Sequence, residues 1–167
     1  MVAGDAFLLN APPREYSLSN SKAANSLLFY WPESSAALTQ YYRYEAAVTH
    51  SERSHGRYLE LALNFSLQTA DRLPFDPLVW VNVGDSELAL RRFHLARADY
   101  LHALATDRWS AAALDGLGQT DMEQHRFAAA ARWYRREVAV LPPGPGRTTA
   151  ESHLNDARRG LVPQTGL

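Results

Sequence analysis

Serine, histidine and aspartate are all present in this 167-residue chain, so nucleophilic catalysis is the first chemistry to consider. One common arrangement places the nucleophile on a sharp turn between a strand and a helix, within reach of a histidine. No such nucleophile-elbow pattern occurs in the sequence. The glycines of Gly116-Leu117-Gly118 do not form a phosphate-binding loop, because they fall inside an apolar stripe with helical spacing. We therefore predict no catalytic residues, no cofactor and no enzymatic activity.

Histidine and carboxylate side chains that lie close together in the sequence are the next candidates, as metal ligands. His50 and His55 flank Glu52 across an expected loop, and no third ligand is evident near them. His94 and His102 are two helical turns apart, which is too far to share one ion. The chain has no cysteine, so zinc bound by thiolates is excluded. The sequence thus predicts no metal site.

Arginine side chains could bind phosphate, because seven of them fall in two neighbouring segments. They are Arg91, Arg92, Arg97, Arg126, Arg132, Arg135 and Arg136. Four acidic residues lie close to them in the sequence, namely Asp99, Asp107, Glu123 and Glu137. We interpret the group as an ion-paired outer surface. The formal net charge of -1 likewise argues against nucleic acid as a partner.

A repeated unit must position these residues, because the chain matches itself at a shift of 34 positions. Six pairs are identical at this shift, namely Gly84/Gly118, Arg92/Arg126, Phe93/Phe127, Ala96/Ala130, Tyr100/Tyr134 and Ala105/Ala139. Unrelated segments of this length would share about two. Gly84 and Gly118 interrupt apolar helical stripes, where a glycine costs about 1 kcal/mol relative to alanine. We expect the compensation to be the close approach of a partner helix.

The repeated positions resemble the tetratricopeptide repeat (TPR) pattern. The residues that carry the resemblance are Trp80, Gly84, Ala96, Tyr100, Leu114, Gly118, Ala130, Tyr134 and Pro142. The sequence departs from the pattern where Glu87 and Asp121 replace an aromatic residue, and where Arg108 replaces the proline that closes a repeat. The resemblance covers residues 76–142. It implies an all-α fold, a right-handed stack of antiparallel helix hairpins in a TPR-like α-solenoid, with a C-terminal capping helix.

The domain limits follow from the repeat and from the residues that break helices. A single helical domain is expected over residues 16–161, between a loosely ordered segment 1–15 and a tail 162–167. It comprises a degenerate hairpin 35–74 with a long linker at 51–56, repeats at 77–110 and 111–143, and a capping helix 148–161. Prolines and glycines in 142–146 must end the preceding helix, and Thr148 or Thr149 is expected to cap the last one. Residues 20–30 are expected to form an earlier lone helix.

The resemblance further implies that the first helix of each hairpin lines a concave groove. The matching positions are Leu78, Val81, Asp85, Leu88, Asp115, Gln119 and Met122. Such an apolar and acidic surface suits a partner peptide or helix with apolar anchors and a basic residue. TPR domains that hold chaperone tails need lysine and asparagine there, and their absence disfavours that subclass. An alternative is that the groove packs against the chain's own N-terminal or C-terminal helix.

We therefore predict a non-catalytic protein–protein interaction module, an adaptor or scaffold whose partner is another protein or a peptide. The alternative is an accessory tail or regulatory domain of a larger bacterial enzyme, such as a membrane glycan ligase or polymerase. A further option is a homo-oligomer that forms through an exposed cluster of Tyr41, Tyr42 and Tyr44. No segment has the length and apolar character for direct membrane insertion. A soluble protein is expected, with the cytoplasm favoured and an extracytoplasmic fragment of a larger protein left open.

Overall fold

The computed structural model describes residues 32–160, with side chains described from residue 37 onward. This range forms seven α-helices, which we number in chain order. They are α1 (Pro32–Val48), α2 (Glu52–Arg72), α3 (Pro77–Ala89), α4 (Phe93–Thr106), α5 (Ala111–Glu123), α6 (Phe127–Val140) and α7 (Pro145–Gly160). Residues 32–160 contain no strand, and the all-α prediction is confirmed. The predicted segments 1–15, 20–30 and 162–167 lie outside the described residues.

The helix boundaries repeat at intervals of 34 residues. Helices α3, α5 and α7 begin at Pro77, Ala111 and Pro145, while α4 and α6 begin at Phe93 and Phe127. Each helix packs mainly on its neighbours in the chain, so α1/α2, α3/α4 and α5/α6 form hairpins and α7 packs on α6. By its position, α7 is the first helix of a further repeat. None of the described helices has the length and apolar character needed to span a bilayer.

The starts of α3 and α5 are fixed by side chains that accept hydrogen bonds from the first turn. The Asp76 carboxylate accepts the backbone N–H of Leu78 at 2.9 Å, and Pro77 occupies the first helical position. The Ser110 hydroxyl accepts the N–H of Ala113 at 3.4 Å. These contacts satisfy N–H groups that have no partner within the helix. Local sequence therefore sets where the hairpins α3/α4 and α5/α6 begin.

The turns inside the hairpins α3/α4 and α5/α6 each depend on a left-handed residue. Arg91 and His125 hold equivalent positions, with φ angles of 58° and 56°. The left-handed residue allows the N–H of Arg92 to donate to the Glu87 carbonyl at 2.8 Å, and the next repeat has the same bond. This bond spans five residues and closes the helix end as a Schellman motif does. The strained backbone at both positions is therefore part of the repeat.

Small and aromatic repeat positions meet inside the stack. A Cβ atom on Gly84 would lie 2.7 Å from the Tyr100 ring, and one on Gly116 would lie 2.3 Å from the same ring. The close approach expected at Gly84 is thus made by a tyrosine side chain of the partner helix. Gly116 allows the next hairpin to close over that ring. Among the other repeat positions, Ala96, Leu114 and Ala130 are fully buried, Trp80 is half-buried and Pro142 is exposed.

The long linker expected at residues 51–56 is wrong. Helix α2 begins at Glu52, and the Ser51 hydroxyl accepts the N–H of Ser54 at 3.4 Å. Gly56 lies within the helix, where a Cβ atom added to it would meet no packed neighbour within 4 Å. A single glycine costs a long helix only about 1 kcal/mol, so the helix continues through it. The first hairpin is longer than the others because α1 and α2 have 17 and 21 residues.

The predicted start of the capping helix is also corrected. Helix α7 begins at Pro145, three residues before the expected position 148. Proline suits the first helical position because its missing N–H would have no partner there. The hydroxyls of Thr148 and Thr149 donate to the carbonyls of Gly144 and Pro145, so neither threonine is the cap. The proline-rich segment therefore starts a helix as well as ending one.

The exposed tyrosine cluster proposed for homo-oligomerisation does not form as expected. Tyr42 is only 3% exposed and stacks on Phe65, with ring centroids 5.5 Å apart. Tyr41 is half-buried and packs against the edge of Tyr42. Tyr44 alone of the three is exposed. Tyr42 contributes to the core of the first hairpin, because its position on α1 faces α2.

Candidate functional site

A cleft with a volume of about 560 Å³ follows the first helices of successive repeats. Its lining comprises His55, Leu88, Ala89, Arg91, Gln119, Met122, Glu123, Tyr134, His153 and Asp156. Leu88, Met122 and Asp156 are equivalent positions of α3, α5 and α7, since each lies 34 residues after the one before. Gln119 and His153 are a second equivalent pair. The cleft is therefore a product of the stacking itself.

Three of the seven residues predicted for the groove line this cleft, namely Leu88, Gln119 and Met122. Leu88 and Met122 are half-buried and provide apolar surface, while Gln119 is exposed. Half-buried apolar side chains in a concave surface can contact a ligand without first leaving the core. Leu88 and Met122 are thus the two apolar residues of the predicted groove that line the cleft.

Val81 was wrongly assigned to the groove. Its side chain is 5% exposed and belongs to a core cluster with Tyr100 and Leu117. Val81 is on the side of α3 that packs against α4 and α5. Leu78 is 59% exposed near the start of α3 and is not among the residues that line the cleft.

Asp85 is engaged within the fold. Its Oδ2 accepts a hydrogen bond from Arg43 Nη1 at 2.9 Å, and its Oδ1 accepts one from the Tyr100 hydroxyl at 2.8 Å. The carboxylate therefore joins α1, α3 and α4. Burial, followed by the charge of Asp85, raises the pKa of Tyr100, so this phenol remains a donor. Asp85 acts as a structural acceptor in this position.

Asp115 has a different set of partners, close to the cleft. Its Oδ2 accepts a hydrogen bond from Gln119 Nε2 at 2.6 Å, and its Oδ1 lies 3.2 Å from His153 Nδ1. The His153 ring packs on Tyr134, with centroids 5.3 Å apart. Burial raises the pKa of Asp115, while His153 and Gln119 oppose that shift. The contact links α5 to α7.

Glu137 completes a small polar group at the junction of α5, α6 and α7. It is 7% exposed, and its Oε2 atom is buried with no hydrogen-bond partner. Burial, followed by the charge of Asp115, raises the pKa of Glu137 to about 7. One ligand atom each from Asp115, Glu137 and His153 lies within 4.8 Å of the other two. These are residues that could hold a cation.

The histidines considered from the sequence have other contacts. His50 Nδ1 and His55 Nδ1 lie 3.2 Å and 2.9 Å from the carbonyls of Val48 and Ala46. His102 stacks on Trp80, with ring centroids 4.1 Å apart. His153 was not predicted as a ligand, because Asp115 and Glu137 are distant from it in the sequence. The 34-residue shift applied once more to Gln119 would have placed His153 on the same face.

Four of the seven arginines form ion pairs within the described residues, and Glu123 is the one partner among the four acids predicted from the sequence. Arg91 pairs with Glu123 at 3.2 Å on the rim of the cleft. Arg97 and Arg126 both bind Asp121, which is fully buried and also accepts from the indole of Trp133 at 3.0 Å. The acid that replaces an aromatic residue in the repeat pattern thus serves as the acceptor for three donors.

Known structures share this arrangement of helices. The first TPR domain of human RPAP3 superposes with a TM-score of 0.62 at 17% identity, covering 78% of this chain and 94% of that one. The first TPR of Spaghetti (RPAP3) bound to the HSP90 peptide SRMEEVD gives 0.57 at 17%, covering 75% and 97%. The Arabidopsis OM64 TPR domain gives 0.52 at 19%, covering 73% and 98%.

No protein-family model and no curated protein sequence matches the chain. The structural likeness nevertheless extends over nearly the whole of each neighbour. The described residues therefore have the tetratricopeptide-repeat fold, as the sequence resemblance implied.

Proposed function

We propose that this chain is a non-catalytic interaction module that binds a peptide or helix of a partner protein in the cleft along α3, α5 and α7. The observation that carries the proposal is the lining of the cleft, where Leu88, Met122 and Tyr134 provide apolar surface below a polar rim. Apolar anchors surrounded by polar groups are the usual composition of a peptide-binding groove. The neighbour that holds an HSP90 peptide supports peptide binding as a use of this fold.

The charges at the rim favour a partner with a basic residue. Glu123 and Asp156 both line the cleft, and Asp115 lies beside Gln119 just below it. Arg91 is the one arginine in the lining, and it is paired with Glu123. A peptide that ends in Glu-Glu-Val-Asp, as SRMEEVD does, would meet unfavourable charge here. The proposed ligand therefore differs in charge from that peptide.

Two pools of labelled helical peptides would test this proposal by fluorescence anisotropy. Both pools carry two apolar anchors, and one carries basic residues where the other carries acidic ones. We expect saturable binding of the basic pool alone. Preference for the acidic pool, or no binding of either, would contradict the proposal.

A matched pair of glutamine substitutions would place the binding in the cleft. Gln119→Lys puts a positive charge in the cleft, and Gln68→Lys puts the same charge on α2, at a half-buried position that does not line the cleft. We expect Gln119→Lys to weaken binding about tenfold, which corresponds to about 1.4 kcal/mol, and Gln68→Lys to leave it unchanged. Equal effects of the two variants would exclude the cleft as the binding surface.

The alternative role, as part of a larger enzyme, stays a prediction.

A further inference from the structure

Three helices bring Asp115, Glu137 and His153 together from positions far apart in the sequence. Asp115 is on α5, Glu137 on α6 and His153 on α7. One ligand atom from each lies within 4.8 Å of the other two. The charge of the group is unbalanced, because two carboxylates share a single imidazole. Such a group needs either a proton or a cation.

The carboxylate of Glu137 gives an independent reason to expect a ligand in this group. Its Oε2 atom is buried and has no hydrogen-bond partner. The residue as a whole is only 7% exposed, so water does not easily supply the missing partner. A buried carboxylate oxygen without a donor is costly, and native structures seldom leave one unexplained. The equivalent position one repeat earlier is Ala103, which is fully buried. The repeat therefore does not require a carboxylate there.

We propose that Asp115, Glu137 and His153 form a binding site for a divalent transition-metal ion, with Zn²⁺ as its probe. Imidazole nitrogen and carboxylate oxygen are both zinc ligands, at about 2.0–2.2 Å from the metal. Two ligands at that distance in a tetrahedral site lie roughly 3.3 Å apart. His153 Nδ1 and Asp115 Oδ1 are 3.2 Å apart already. The metal takes the place of the proton between these atoms, and Glu137 supplies the third ligand.

The site has a surrounding shell that holds its ligands in place. Gln119 donates to the other oxygen of Asp115 at 2.6 Å, and the Tyr134 ring packs against His153. Groups that orient the ligands in this way strengthen metal binding. Three protein ligands leave one coordination position for water, as in open zinc sites. Magnesium and calcium bind poorly here, because an imidazole is a weak ligand for them.

A bound ion would fasten the last helix to the repeat before it. Helix α7 packs on α6 and has no later repeat to cover it within the described residues. Metal ligands from α5, α6 and α7 would join all three helices, so binding would stabilise the folded chain by mass action. The metal site shares His153 with the cleft, so the ion and the peptide are tested with separate probes.

The test is calorimetric titration of the full chain with Zn²⁺ after treatment with a chelator, paired with thermal melting. We expect one ion per chain at micromolar affinity and a higher melting temperature with zinc. His153→Ala and Glu137→Gln should each weaken binding at least about tenfold. His94→Ala, which removes an exposed histidine on α4, should bind zinc like the unmodified chain. Magnesium and calcium should give no heat.

A variant that fails to fold would not test the site, so a second measurement uses the unmodified chain. Nitrogen-15 NMR of the histidine rings should show the resonances of His153 shifting with zinc while those of His94 stay in place. The absence of saturable binding at micromolar zinc would overturn the proposal and leave a proton on Glu137 as the balancing charge. Binding that is equally strong in His153→Ala and Glu137→Gln would also overturn it, since the ion would then lie elsewhere.

Discussion

Tyr134 lies against Gly118 so closely that a Cβ atom added to the glycine would stand 2.4 Å from Cε1 of the ring. The ring is 3% exposed and belongs to the cluster of Ala130, Leu154 and their neighbours. It also packs against His153 at the edge of the cleft. The absence of one methyl group therefore sets the spacing of α5 and α6 and the position of a cleft residue.

We expect Gly118→Ala to destabilise the chain by about 1–3 kcal/mol, because the added methyl group must displace a buried ring. Chemical denaturation would measure the change. Gly56→Ala is the matched control, since a Cβ atom added to that glycine on α2 would meet no packed neighbour within 4 Å. It should raise stability by about 0.5–1 kcal/mol through helix propensity alone. Changes of the same sign in both variants would argue against the close contact.

Asp121 should be among the least replaceable acids in the described part of the chain. It is fully buried and accepts hydrogen bonds from Arg97, Arg126 and Trp133. An amide in its place turns one acceptor into a donor that faces other donors. We expect Asp121→Asn to cost about 2–4 kcal/mol in the free energy of unfolding. Asp71→Asn, at an exposed position, should stay within about 0.5 kcal/mol.

Asp99 should make stability depend on pH. Burial, followed by the charge of Glu87, raises the pKa of Asp99 from 3.8 to about 7. The folded chain therefore binds a proton that the unfolded chain releases, and folding is favoured at low pH. This contribution is fully present below about pH 4 and is lost as the pH rises through about 7.

We expect Asp99→Asn to lose this part of the pH dependence and to melt at a higher temperature than the unmodified chain above about pH 7. Thermal melting across the pH range would measure the effect. The control is Asp71→Asn, whose pH profile should run parallel to that of the unmodified chain. An unchanged slope in Asp99→Asn would mean that Asp99 is ionised in the folded chain. A residual slope is expected, because the pKa of Glu137 is raised to about 7 as well.

Helix α7 should contribute to the stability of the preceding repeat through Leu154. This side chain is 7% exposed and packs in the cluster that contains Ala130 and Tyr134. Leu154→Ala removes the contact and leaves a cavity, so we expect a loss of about 2–4 kcal/mol by chemical denaturation. Leu101→Ala, at a position 42% exposed on α4, should change stability by less than about 1 kcal/mol. A loss of stability in Leu154→Ala as small as that in Leu101→Ala would mean that α7 contributes little to the packing.

Much of the stack follows from the sequence alone. The pairs Gly84/Gly118 and Tyr100/Tyr134 reveal the 34-residue period, and helices α3 to α6 begin and end on that period. Helix starts are also local, because a residue such as Asp76 satisfies the N–H groups of its own first turn. Periodicity and capping involve residues close along the chain, so they can be read without knowing the packing.

The tertiary structure decided what each polar or aromatic side chain meets. Val81 and Tyr42 entered the core, and Asp85 became an acceptor for Arg43. Asp115 and His153 are 38 positions apart, and only the stacking of α7 after α5 and α6 brings them together with Glu137. A repeat period specifies which face of a helix points inward, but not which side chain of another helix lies opposite. The contacts of the cleft and of the proposed metal site therefore depend on the packed helices.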